Sequence, residues 1–127
     1  MDVYYGSFEN WKDVLNEFSV EDESMNDVIP LFASYNHEGY EGDATVVYMK
    51  DQKLWLVQGS HCSCYGLENQ WQPEDMPLEA LEHLCDAGNY SFSDGSCGFK
   101  TTLEFIRKAG FDGSDLAQLE FFLKLRL

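Results

Sequence analysis

Ala44-Thr45-Val46-Val47-Tyr48-Met49-Lys50-Asp51-Gln52-Lys53-Leu54-Trp55-Leu56-Val57-Gln58 is the stretch that decides the fold. Two apolar runs, rich in β-branched and aromatic residues, flank four polar ones, which is the pattern of an antiparallel hairpin. Strands over 44–49 and 54–58 follow. Upstream, Val28-Ile29-Pro30-Leu31-Phe32-Ala33-Ser34-Tyr35 is a third short apolar run. Pro30 has no N–H to give to a ladder, so it limits this segment to an edge strand or itself to a strand's first residues. Asn36 to Asp43, rich in glycine and acid, reads as the loop between them. The three segments predict a small three-stranded antiparallel meander.

Helical spacing brackets the sheet. Phe8, Trp11, Val14, Leu15 and Phe18 recur every three to four residues, with Ser7 placed to cap. Downstream, Pro77 opens a helix through Leu78, Leu81, Leu84 and Cys85, and Gly88 suits its stop. Thr101-Thr102-Leu103-Glu104 has the form of a capping box for a helix ending before Gly110. Leu116, Leu119, Phe122, Leu123 and Leu127 stripe a last helix. The 127 residues therefore predict a single α+β domain over 1–127: the small sheet with N-terminal and C-terminal helices packed against it.

Charge is the strongest compositional signal. The formal net charge is -15. Residues 1–49 hold eleven carboxylates against one base, Lys12, whereas residues from 100 onward are close to balanced. No basic track exists to neutralise phosphates, so direct nucleic-acid binding is excluded as an expectation. An acidic surface instead attracts a basic one, including a nucleic-acid groove on another protein. The run from Ser19 to Asp27 reads as an exposed acidic connection. With no apolar run near the roughly 20 residues of a membrane span and no leader-like N-terminus, a cytoplasmic location is expected. The cysteines, Cys62, Cys64, Cys85 and Cys97, are then expected as thiols or metal thiolates, although their even count would fit two disulfides in a secreted chain.

Gly59-Ser60-His61-Cys62-Ser63-Cys64-Tyr65-Gly66-Leu67-Glu68-Asn69-Gln70-Trp71 concentrates the polar chemistry at the end of the second hairpin strand. His61, Cys62, Cys64, Tyr65, Glu68, Gln70 and Trp71 are its candidate site residues. Zinc is one reading, but C-x-C is narrower than the C-x2-C that lets two thiolates converge, and His83 and Cys85 at i, i+2 point to different sides of a helix. No metal or other cofactor is expected on that ground, and a zinc module centred on the His-Cys-Ser-Cys loop is the alternative. A thiol enzyme would need an imidazole oriented on Cys62 or Cys64, which adjacency of His61 does not supply. No nucleophile elbow or phosphate loop is present, so no catalytic residue is named. The remaining reading is a structural turn, with glycines for tight backbone and Tyr65 and Trp71 packed on the sheet.

The segment 59–74, G-S-H-C-S-C-Y-G-L-E-N-Q-W-Q-P-E, resembles the signature of a family of short uncharacterised phage and bacterial proteins. Tyr40-Glu41-Gly42-Asp43-Ala44 is similar to the segment that precedes the family's strand. The resemblance covers roughly residues 35–85 and implies a prokaryotic or phage protein of the host cytoplasm, with no activity to carry over. Combined with the charge, the expectation is a non-enzymatic acidic protein that occludes a basic surface of a host nucleic-acid-processing or defence enzyme. Carboxylates of Glu9, Asp13, Glu17, Glu21, Asp22, Glu23 and Asp27 would stand in for phosphates, with Trp11 adding contact area.

Overall fold

The computed structural model describes residues 3–38, 41–62, 66–86, 99–108 and 116–126. Its elements run β1 (Tyr4–Gly6), α1 (Trp11–Glu17), a 3-10 turn (Glu23–Asp27), β2 (Ile29–Glu38), β3 (Glu41–Lys50), β4 (Lys53–His61), β5 (Glu74–Asp75), α2 (Leu78–Asp86), α3 (Phe99–Lys108) and α4 (Leu116–Arg126). The α+β class holds. The sheet is larger than the sequence suggests: five strands in the order β1-β2-β3-β4-β5, with β1 parallel to β2 and the other pairs antiparallel.

The two extra strands are too short to carry a hydrophobic period. Tyr4–Gly6 pairs only with Ala33–Tyr35, and Glu74–Asp75 only with Trp55 and Leu56. β1 puts β2 inside the sheet, so of the two places open to Pro30 it takes the one at a strand's start, as the second residue of β2. The proline is accommodated because β1 reaches only the far half of β2, and the β2–β3 ladder shifts register between Pro30 and Phe32. Locally, the proline still has no strand on its outer side. The long strands also run further than their apolar cores. Residues 36–38 and 41–43, expected as loop, extend the β2–β3 ladder as far as Glu38 opposite Glu41.

Both faces of the sheet are covered, which is why residues 44–49 read as continuously apolar rather than alternating. On one face Ala44, Val46, Tyr48 and Val57 meet Phe8, Val14, Leu15, Phe18, Met25 and Leu67. On the other, Val47, Met49, Leu54 and Leu56 meet Leu78, Leu81, Leu103, Ile106, Leu119 and Leu123. Alternation along each strand deals its residues to the two cores in turn.

Several helix boundaries differ from the expectation. Residues 8–10 precede α1, and Asn10 caps it, its side-chain oxygen accepting the Asp13 N–H at 2.9 Å. Ser7 instead donates its backbone N–H to the Tyr35 carbonyl. At the other end Ser19 donates to Asn16 O and Val20 to Leu15 O, with Ser19 at φ 56°. That is a Schellman closure. The acidic run after it is not plain loop. It contains the 3-10 turn, with Met25 buried.

In α3, Thr102 lies inside the helix, not at its cap. Its buried hydroxyl donates to the Leu31 carbonyl of β2 at 3.2 Å. Leu119 and Leu123 seat α4, whereas Leu127 lies outside the described residues. The hairpin between β3 and β4 closes on two residues, Asp51 and Gln52, at φ 53° and 65°. Two left-handed residues in a two-residue loop match the right-handed twist of the strands.

Candidate functional site

β4 does not stop where the motif begins. Gly59, Ser60 and His61 are its last residues, paired with Ala44, Asp43 and Gly42 of β3. The chain then turns back so that 66–71 lies beside the strand it has just left. Gln70 makes this return rigid. Its carboxamide oxygen accepts the Ser60 N–H at 2.8 Å, and its nitrogen donates to Ser60 O and Gly66 O, both at 2.7 Å. The side chain thus imitates a neighbouring strand beyond the reach of β5, which pairs only with Trp55 and Leu56.

Glu68 accepts the Gly66 N–H at 3.2 Å, and Leu67 is fully buried. A Cβ at position 59 would sit 3.0 Å from a Phe18 ring carbon, 3.2 Å from the Gln70 oxygen and 3.2 Å from a Leu67 methyl. Glycine there lets the turn close onto the sheet.

Trp71 is the keystone of an aromatic group. Its indole stacks on Tyr48, with centroids 5.8 Å apart and planes within 6°, and meets Phe18 and Trp11 edge-on at 5.1 and 6.1 Å. Trp71 is half-buried. The Tyr48 phenol is pushed up to about 12 by burial, with the Asp22 carboxylate adding to it. Tyr35 is likewise raised, first by burial and then by Glu17 and Glu68. Its ring meets the His61 imidazole edge-on at 5.5 Å.

Of the thiols, Cys62 is half-buried. Cys64, Tyr65 and Cys97, and the side chains of His37 and Cys85, lie outside the described residues. Among the described residues no group of three or more His, Cys, Asp or Glu side chains is placed to hold a metal. His83 is exposed on α2, away from the turn in sequence and on a different element.

The acidic candidates divide by role. Glu9, Glu17, Glu21, Asp22, Glu23 and Asp27 are exposed. Asp13 is half-buried and is spent on the helix start, accepting the Glu9 N–H at 3.1 Å. Asp22 caps the 3-10 turn by accepting the Ser24 N–H at 2.9 Å, and this bond holds its carboxyl below the usual range. Trp11 donates its indole N–H to Met25 O at 2.7 Å, which ties α1 to the 3-10 turn. The seven carboxylates therefore ride on one braced unit.

The salt bridges among the described residues are Lys53–Asp75 and Arg107–Glu82, both elsewhere. Lys50 reaches Ser24 Oγ at 2.9 Å, and Lys12 is the one base on α1 itself.

Sequence reasoning missed Tyr35, Gly42 and Tyr48, which meet His61 and Trp71 of the turn, and Gln58 and Gln72, which line a hollow beside Gln70. A weak signal existed for the carboxamides, since Gln58, Gln70 and Gln72 keep one parity on either side of the turn. No family model, curated protein or solved structure matches this chain. No helix among the described residues is long and apolar enough to cross a membrane.

Proposed function

We propose that the protein is a non-enzymatic acidic interaction module, phage-encoded and acting in the host cytoplasm, that covers a basic surface of a host enzyme. An enzyme that processes nucleic acid, or defends against it, is the class of partner that carries such a surface. The observation that supports this reading is the braced acidic unit. Six exposed carboxylates lie within residues 9–27, and neither salt bridge involves any of them. With only Lys12 and Lys50 close by, these like charges repel one another, and a partner that supplies cations relieves that repulsion. Trp11 and Trp71, half-buried and locked by ring contacts, offer rigid area beside the charge.

The turn at 59–71 enters this reading as a scaffold. It fastens Trp71 against α1, and its Glu68 and Gln70 side chains are bonded to its own backbone.

The test is association of the full chain with the protein it captures from host lysate. Glu21→Gln, Asp22→Asn, Glu23→Gln and Asp27→Asn together should slow the on-rate at low salt, while the melting temperature stays or rises slightly. Parent binding should also weaken as the Debye length shrinks to about 8 Å at physiological salt. Equal on-rates for the two proteins, with no salt dependence, would refute acidic docking.

A further inference from the structure

The sheet face packed by α2, α3 and α4 is broken by one polar row. Ser34 of β2 lies opposite Thr45 of β3, and Thr45 lies opposite Gln58 of β4. By strand alternation all three project on the same side as Phe32, Val47 and Leu56. Ser34 is 2% exposed and Thr45 fully buried. Among the described residues the Thr45 hydroxyl has no hydrogen-bond partner. A buried, unbonded hydroxyl is costly, and it marks a place where a polar partner is missing.

The row leads to a cavity. Past Gln58 the outer edge of β4 opens into a space of about 300 Å³ lined by Leu56, Gln58, Asn69, Gln70, Gln72 and Glu74. A second hollow of about 260 Å³ adjoins it, sharing Gln58 and Gln70 and adding Asp43 and Ser60. Three of the chain's five glutamines line the first space. In a protein that is 24% charged, four carboxamides among six lining side chains is a marked local bias.

The chemistry of this lining narrows the ligand. Among the described residues no Lys, Arg or His lines the first space, so an anion finds no counter-ion there. Glu74 is the single carboxylate there among the described residues, and it is exposed, which leaves a cation poorly held. An extended peptide does not fit either. β4 is already paired at Leu56 by Glu74, and at Ser60 its N–H and C=O are taken by Gln70. What remains is a neutral ligand whose groups each donate and accept, as carboxamides do.

We propose that this cavity binds a neutral polyhydroxylated ligand, a single saccharide unit. Gln58, Asn69 and Gln72 meet its hydroxyls, Glu74 accepts from one, and Leu56 faces its C–H surface. Gln70 is the fixed wall, because three hydrogen bonds hold its carboxamide before any ligand arrives. The volume is at the lower end of the roughly 300–1,000 Å³ range of small-molecule pockets and suits one ring.

The experiment is an NMR titration of the ¹⁵N-labelled full chain. The probes are glucose, galactose, mannose and N-acetylglucosamine, with inorganic phosphate and N-acetylglycine N-methylamide beside them. The side-chain NH₂ signals of Gln58, Asn69 and Gln72 report directly. At least one sugar should shift them saturably in the millimolar range. Gln72→Ala, which changes one exposed side chain, should weaken that sugar about tenfold, as loss of a hydrogen bond does, and leave the rest of the spectrum in place. Three results would each overturn the assignment: no saturable shift with any of the four sugars, larger shifts of these signals with phosphate or the peptide amide, or unchanged sugar affinity in Gln72→Ala.

Discussion

The imidazole of His61 lies where the side chain of residue 42 would be. Gly42 is its partner across the β3–β4 ladder, and a Cβ there would fall 2.5 Å from His61 Cε1 and 2.8 Å from Nδ1. The same Cβ would run into the backbone carbonyl of Asn36 on the neighbouring strand. A ring can swing aside, but a ladder carbonyl cannot. Gly42→Ala should therefore destabilise the fold by about 1–3 kcal/mol, the usual range for overpacking. Adding His61→Ala should recover only part of the loss. Urea denaturation of the two variants and of His61→Ala alone measures it, and full recovery would assign the whole clash to the imidazole.

Gln70 should be among the least replaceable polar residues of the turn. Gln70→Ala removes three hydrogen bonds, each with a net worth of about 0.5–1.5 kcal/mol, for a loss of roughly 2–3 kcal/mol in all. Gln70→Glu keeps the acceptor for Ser60 N–H but sets a carboxylate against the Ser60 and Gly66 carbonyls. It should cost at least as much as the alanine variant above neutral pH. Hydrogen exchange at Ser60 provides a second readout and should accelerate in both variants.

Two substitutions should stabilise. Ser19 closes α1 at φ 56°, and Gln52 sits in the hairpin at φ 65°, both in a region that costs an ordinary side chain. Glycine relieves that cost and loses some chain entropy, so Ser19→Gly and Gln52→Gly should each add about 0.5–1 kcal/mol. The sites are on separate turns, so the gains should add in thermal melts of the double variant.

Alkaline pH should unfold the protein partly through Tyr48. Its phenol is raised to about 12 in the fold, against about 10 in an unfolded chain. Below pH 10 both states hold the proton and stability is unaffected. Between 10 and 12 the unfolded chain ionises first, so stability falls by up to about 1.4 kcal/mol per pH unit. Tyr48→Phe keeps the stack on Trp71 and should flatten this decline, while Tyr4 and Tyr35, also raised by burial, retain a share of it. An identical pH profile in the variant would show that the phenol ionises as readily in the fold as out of it.

The three long strands and the four helices were legible because their information is local. Val46-Val47-Tyr48-Met49 and Leu54-Trp55-Leu56-Val57 declare strands by composition, and Leu78, Leu81, Leu119 and Leu123 declare buried helix faces by spacing. β1 and β5 declare nothing. Tyr4–Gly6 and Glu74–Asp75 become strands only because Ala33–Tyr35 and Trp55–Leu56 present open ladder positions to them. Pro30 left two places open, an edge strand or a strand's start, and tertiary structure chose the second, since its restriction acts on one position while β1 arrives further along the strand.

The candidate site divides in the same way. Composition alone determined that the N-terminal half is acidic and that residues 59–71 hold an unusual density of polar side chains. Tertiary structure decided what those side chains do. Gln70 spans ten positions of chain to serve Ser60, Trp71 reaches α1, and Ser34, Thr45 and Gln58 become neighbours only through register. A side chain's type is written at its own position, whereas its hydrogen-bond partner is set by which distant segment the hydrophobic cores bring beside it. Charge and period are sums over nearby residues, so the sequence carried them. The Gln70 clamp, the His61–Gly42 contact and the carboxamide-lined cavity are pairings between distant residues, and only the packed sheet could make them.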